Sequence, residues 1–275
     1  MIGLVVALWC EAAPLKQRFR MKRCPDRGRF QLLESRELCM IVSGVGRLRA
    51  SIATAVLASS QPLLGLINLG LCGSPGELEV GRLAIAHRVI DHATSRSYYP
   101  DMLGRHGLPE VTLETFERPV TADHPVSSGT AVDMEGAGFF EAASCFLSPA
   151  RIQCLKVVSD HLEGERFSKA YASGLIEGNL EALERVLKLF RGIWSPAAAL
   201  APGEETLLAE LGEWLKLSFT QRCQLRELAL IYKVQTGGGL DRLECLRGLP
   251  VASKRDAREA LGRVRELLES TDGGR

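Results

Sequence analysis

The chain has 275 residues, 46% hydrophobic and 24% charged, enough for one large or two smaller globular domains with a full core. Its 34 basic and 33 acidic residues leave a net charge of +1, which offers no electrostatic footprint for nucleic acid or an anionic membrane. Eight scattered cysteines without a CxxC pair or metal-ligand spacing read as reduced thiols, several inside apolar runs, which points to a cytoplasmic protein.

In chain order, Ile2 to Leu8 is a continuous apolar run of strand length, the pattern of a strand buried on both faces. No basic region precedes it and Glu11 ends it, which favours a strand over a leader peptide. No apolar run approaches the roughly 20 residues of a membrane span. Ala12 to Met21 then reads as a helix, with Pro14 near its start. Glu11 is thus expected at the carboxyl end of the first strand, where open α/β sheets bind their ligands.

Phe30 to Leu33 and Leu38 to Val42 predict a strand pair. The turn Ser43-Gly44-Val45-Gly46-Arg47 and an alanine-rich helix over Leu48 to Ser59 follow. Leu63 to Leu71 is the next buried strand, closing on Asn68-Leu69-Gly70-Leu71-Cys72-Gly73-Ser74, and Arg82 to Val89 another. Between Asp91 and Pro125 the pattern weakens to loop, with a short strand at Glu110 to Phe116. Four of the five histidines (87, 92, 106, 124) lie in or near this region without metal spacing.

Ala131-Val132-Asp133-Met134-Glu135-Gly136 is the centre of the sequence. Its apolar step runs into a small-residue turn, and Ala137, Phe140, Ala143 and Phe146/Leu147 then recur at helical spacing. Glu135 is thereby expected in a helix's first turn, where the dipole favours a carboxylate. Ile152 to Ser159 is a further buried strand ending at Asp160, and Leu175 to Ile193 reads as one long amphipathic helix. Composition changes at residues 195–203, a Pro/Ala-rich stretch with the look of a linker. Beyond it come three helical patterns, Glu204 to Leu217, Thr220 to Val234 and Ser253 to Leu268, with Gly237-Gly238-Gly239 as a break.

Three carboxylates, Glu11, Glu135 and Asp160, thus fall at strand ends or helix starts, with glycine turns on the same edge. This set resembles the purine nucleoside phosphorylase superfamily, and within it the nucleosidases that act on 5′-methylthioadenosine and S-adenosylhomocysteine. The resemblance covers about residues 1–193. It is carried by the strand ending in Glu11, Ser43 to Arg47, Asn68 to Gly73, Val80-Gly81, Val132-Asp133-Met134-Glu135 and Val158-Ser159-Asp160. The implied fold is a three-layer α/β domain with a mostly parallel twisted sheet over residues 1–194. A linker at 195–203 and an all-helical appendage at 204–275, a possible docking module for a protein partner, complete the expected organisation.

The resemblance also implies roles. Asp160 would be the general acid that protonates the leaving purine, and Glu11 the base that activates water. Glu135 would hold the ribose 2′- and 3′-hydroxyls, with Met134 packed beside the sugar. Gly46, Gly70, Ser159 and Phe167 would complete the substrate pocket. No cofactor or metal is implied, and a homodimer is expected.

The chain departs from the family between Tyr99 and Asp133, a segment shorter than in its members that lacks the usual base-binding loop. Asp123-His124-Pro125 takes that place, which makes His124 a candidate base contact. Lys156 stands where the nucleosidases commonly carry an arginine, and Asn68 where many phosphorylases carry one. Two other readings stay open at this point. One is a phosphate-dependent phosphorylase recruiting Arg47 and Arg82. The other is a catalytically decayed nucleoside-binding or scaffolding protein.

Overall fold

The computed structural model describes every residue except 26–28, 77, 122, 124, 125, 128, 164–167, 195–199 and 270–275. Strand β1 (Ile2–Val6) leads into helix α1 (Trp9–Arg18), then β2 (Lys22–Arg23), β3 (Gln31–Glu34), β4 (Leu38–Val42) and α2 (Arg47–Ser60). Next come β5 (Gly65–Gly73), β6 (Leu83–Asp91), β7 (Ser97–Tyr98), β8 (Glu110–Thr115), β9 (Thr130–Asp133) and α3 (Gly136–Ser144). Strand β10 (Ile152–Asp160), α4 (Lys169–Glu177) and α5 (Leu180–Trp194) end this part.

The continuous apolar runs are strands covered on both faces. Ile2, Leu4 and Val6 of β1 enter one core, while Val5 between them enters the other. In β10, Leu155 and Val157 face the first core, and Cys154 and Val158 the second. Leu15 of α1, Ile176 of α4 and Leu183, Val186, Phe190 and Trp194 of α5 close the first face. Ala53 and Leu57 of α2 with Phe139 and Phe140 of α3 close the other, giving three layers. Helices α2 and α3 lie so close that a Cβ on Gly138 would meet the Arg47 carbonyl oxygen at 2.3 Å. Only glycine allows that approach.

Strands β4, β1, β5 and β10 form a parallel ribbon. Strand β10 then pairs antiparallel with β6, which begins a second parallel group, β6, β8 and β9. The ring closes where β9 crosses β5 through one pair, Gly73 with Val132. Among the described residues, five of the ten strand pairings are parallel and five antiparallel, so the sheet is mixed where a mostly parallel one was expected. Closure into a five-stranded barrel brings two parallel groups together in opposite directions, and apolar runs alone do not reveal that.

Two element boundaries also differ from expectation. The single helix over Leu175 to Ile193 is two helices, α4 and α5, because the chain breaks at Gly178-Asn179. The Asn179 amide there donates to the carbonyls of Gly81 and Leu175, both at 2.9 Å. Pro202 and Gly203, expected in the linker, open the first helix of the following unit, where proline at the first turn gives up no hydrogen bond.

The chain divides into two compact units, Met1–Trp194 and Ser195–Arg275. The second contains α6 (Pro202–Trp214), α7 (Phe219–Thr236), α8 (Lys254–Glu269) and a 3-10 turn at Asp241–Gly248. Its own core gathers Leu208, Leu211, Leu225, Leu243 and Val264. No helix among the described residues is long and apolar enough to cross a membrane.

Candidate active site

Although the sheet is mixed, the crossing at Gly73 and Val132 brings the carboxyl ends of β5 and β9 together. The ends of β8 and β10 lie beside them, with Thr115 opposite Asp133 and Asp160 opposite Gly73. A pocket of about 190 Å³ opens there.

Glu11 lines it from the first turn of α1, two residues inside the helix, and not from the strand end that the sequence predicts. Strand β1 stops at Val6, and the apolar Ala7 and Leu8 form the connecting turn. The carboxylate is 3% exposed and accepts the Leu8 N–H at 2.8 Å and the Leu71 N–H at 3.1 Å. Burial raises its pKa against these two donors. Gly70 sits behind it, since a Cβ there would lie 3.2 Å from Glu11 Oε1.

Glu135 is the residue that caps α3, one position before the helix proper. Its Oε1 accepts the Gly46 N–H at 2.8 Å. Gly46 itself caps α2 at φ +108°, a backbone state that suits glycine, and this aims the N–H at the carboxylate. Burial pushes the Glu135 pKa up to about 7, with Lys156 pulling it down and Asp133 adding to the rise.

Asp133 belongs to the frame of the site. Its Oδ2 lies 2.8 Å from the Lys156 ammonium and accepts the Gly136 N–H at 2.8 Å, while Oδ1 accepts the Thr115 hydroxyl at 2.6 Å. Thr115 Oγ1 in turn accepts the Ala137 N–H at 2.9 Å. The start of α3, and Glu135 with it, is fixed by this set. Burial alone would lower the Lys156 pKa, but the Asp133 and Glu135 charges more than offset it and the net shift is upward. Lys156 is therefore the counter-charge for a group of buried carboxylates.

Asp160 ends β10 just past an irregularity between Val158 and Asp160 that re-aims the strand end. Its Oδ1 accepts the Leu162 N–H at 2.9 Å, and Leu162 takes φ +66° to present it. The Ser159 hydroxyl has one proton and two acceptors within reach, Cys72 O at 3.0 Å and Asp160 Oδ2 at 2.6 Å.

Ala7, Leu8, Val45, Cys72, Met134, Ser159 and Leu162 complete much of the lining. Burial pushes the Cys72 thiol up to about 12, which leaves it an uncharged wall group and no nucleophile. Gly46 and Gly70 act one step back, through Glu135 and Glu11. Phe167 and His124 lie outside the described residues. The wall that the sequence analysis missed is Arg118-Pro119-Val120, after β8. Its charge and proline read as a surface turn, and Arg118 and Pro119 are indeed exposed while also lining the pocket. Asn68 does not line the pocket; it is buried within β5 and donates to the Val5 carbonyl at 3.1 Å. A larger cavity of about 800 Å³ lies beside Ile2 and Leu38, at the far ends of β1 and β4, and holds none of these carboxylates.

No family model matches the chain, and no curated protein matches it in sequence. Its fold does match solved structures. Apo 5′-methylthioadenosine nucleosidase from Arabidopsis thaliana aligns with a TM-score of 0.61 at 18% identity, over 70% of this chain and 96% of that one. The 5′-methylthioadenosine/S-adenosylhomocysteine nucleosidase of Helicobacter pylori gives 0.59 at 15% identity, over 68% and 97%. Futalosine hydrolase of Helicobacter pylori gives 0.59 at 16% identity, over 68% and 97%. The chain therefore has the fold of these nucleosidases, which span nearly their whole length on about two thirds of it.

Proposed function

We propose that the chain is an N-glycosidase that hydrolyses a purine nucleoside and releases the free base. The substrate class is an adenosine derivative such as 5′-methylthioadenosine, S-adenosylhomocysteine or 5′-deoxyadenosine. The observation that carries the reading is the convergence of Glu11, Glu135 and Asp160 on one pocket from three separate elements. The three carboxylates all belong to the unit Met1–Trp194.

Asp160 gives a proton to the departing base, which is otherwise a poor leaving group. Glu135 accepts the ribose hydroxyls; its Oε2 takes no hydrogen bond from the described residues, and its charge favours the cationic sugar of the transition state. Glu11 stands on the other side with a raised pKa, as suits a base that orients water and removes its proton. A homodimer is part of the reading, supported by exposed Val45, Leu48 and Ile52 at the start of α2, of which Val45 also lines the pocket. Light scattering should give the mass of two chains; a monomer at micromolar concentration would remove this part.

Phosphorolysis fits less well. Both arms of the Arg47 guanidinium are taken, by Asp91 at 2.5 Å and Glu117 at 2.6 Å, and Arg82 lies outside the pocket lining. A buried carboxylate at the nucleophile position also repels a dianion by several kcal/mol at a few ångströms, on an order-of-magnitude estimate. The expected result is base and free sugar in phosphate-free buffer, unchanged by millimolar phosphate. Glu11→Gln should abolish release and still bind nucleoside. Sugar 1-phosphate as product would reverse the assignment in favour of the phosphorylase.

The pH profile follows from Glu135. An ionised carboxylate accepts two hydroxyls and a protonated one does not, so nucleoside binding should weaken by about tenfold per pH unit below about 7. Stability has the opposite sign. The folded pKa exceeds the unfolded value near 4.5, so the cost of burying this charge is full above pH 7 and is relieved as pH falls toward 4.5. Weak binding at pH 6 in a protein that melts no earlier is the expected pair of observations. A flat binding profile between pH 5 and 8 would count against the clamp.

A further inference from the structure

The described lining of the pocket contains one cation, Arg118, and no aromatic ring. The segment carrying it is tied down on both sides. Phe116 donates its N–H to the Asp133 carbonyl at 2.8 Å, stacks on His92 with centroids 4.1 Å apart, and packs against Val132 and Leu162. Glu117 is held by Arg47 at 2.6 Å, and Arg47 adjoins Gly46, whose N–H holds Glu135. Val120 packs back onto the Phe116, Val132 and Leu162 cluster, two residues from Asp160, and Pro119 restricts the backbone between. Arg118 therefore stands at the crown of a strap that runs from the sugar clamp to the acid. Its neighbour Glu117 is committed to Arg47, and no side chain or carbonyl among the described residues holds the Arg118 guanidinium.

Three properties of a guanidinium suit this position. It is planar, it stays charged at every working pH, and it is weakly enough hydrated to lie on a ring face. As the bond from the anomeric carbon to the base nitrogen breaks, its electron pair moves onto the base. Asp160 supplies a proton there, water forms the new bond to carbon, and Glu11 takes the water's proton. A positive plane laid against the ring face is worth more in that transition state than in the ground state.

We propose that Arg118 is the base platform of this site, stacking its guanidinium on the purine and offsetting the negative charge the base acquires as it leaves. The inference rests on the purine nucleosidase reading and adds a leaving-group-stabilising residue to it.

The test compares the full chain with Arg118→Leu and Arg118→Lys on a series of purine nucleosides whose bases differ in acidity. Arg118 is exposed, so both variants should melt with the parent. Arg118→Leu should lose about tenfold in kcat/KM on the poorest leaving group and progressively less as the base becomes more acidic. The dependence of log kcat/KM on base pKa thus becomes steeper. Arg118→Lys, which keeps the charge and loses the plane, should fall between. An Arg118→Leu enzyme as fast as the parent overturns the proposal. So does a loss of equal size on every base, which would mark a passive wall. A loss confined to nucleosides with an anionic 5′ substituent and fully restored by lysine also overturns it, in favour of an ion pair to the tail. If the parent releases no base from any nucleoside, the nucleosidase reading itself falls, and that outcome is distinct from the others.

Discussion

Replacing Asp160 by asparagine is expected to slow base release by about 10²–10⁴-fold, the usual cost of removing a general acid. The substitution keeps size and shape, and the amide oxygen can still accept the Leu162 N–H that now reaches Oδ1 at 2.9 Å. What it removes is the transferable proton. The contact with Ser159 at 2.6 Å can persist with the amide donating to the hydroxyl, so folding and nucleoside binding should change little. Single-turnover release of base with binding measured separately gives the check. The loss should shrink for nucleosides whose base leaves without protonation, because the acid's contribution is then not needed. Near-normal turnover of an ordinary purine nucleoside would take Asp160 out of the chemistry.

Lys156→Met is the second large effect, and it falls on stability. The ammonium is buried in β10, 1% exposed, and faces Asp133 at 2.8 Å. Removing one partner of such a pair leaves the other charge buried without compensation, at a cost of about 3–5 kcal/mol. Here Glu11 and Glu135 lose the same counter-charge, since Lys156 lowers the pKa of both. Denaturant midpoints should report the loss, and Lys156→Met combined with Asp133→Asn should recover much of it. That rescue is specific to a charge imbalance, because a simple cavity would not be repaired by altering its neighbour's charge. If the double variant is no more stable than Lys156→Met, the pair is not what holds the start of α3.

These two effects also mark how far the sequence can be read. The runs at Ile2, Leu38, Leu63 and Ile152 are legible because a strand covered on both faces must be apolar throughout. Glu11, Glu135 and Asp160 stand out because each follows an apolar run, so that the strand ends place all three on one edge of the sheet. The position of Glu11 was missed by half a turn, since Ala7 and Leu8 are apolar whether they extend a strand or line a turn. The break at Gly178-Asn179 was hidden because the apolar spacing continues across it. The Asp133–Lys156 pair could not be seen at all. Asp133 reads as a helix-start residue and Lys156 as a cation in a strand where the nucleosidases carry an arginine, with nothing to link the two, and only barrel closure brings them to 2.8 Å. Arg118 was lost for the same reason, as a charged turn looks alike whether it faces solvent or a pocket.

The barrel is joined unevenly. Strand β5 shares eight register positions with β10 but meets β9 at one, Gly73 with Val132, and both of those residues line the pocket. The free energy of a local opening is set by the weakest closure it must break, and contiguous stretches of ladder open only with the whole domain. The wall beside the reacting bond therefore has a lower threshold for fluctuation than the β1, β4, β5 and β10 ribbon behind it. Amide exchange would register that difference as fast protection loss at Val132 against slow loss at Leu155. A substrate entering by this seam would borrow its passage from a motion that leaves the rest of the scaffold at rest.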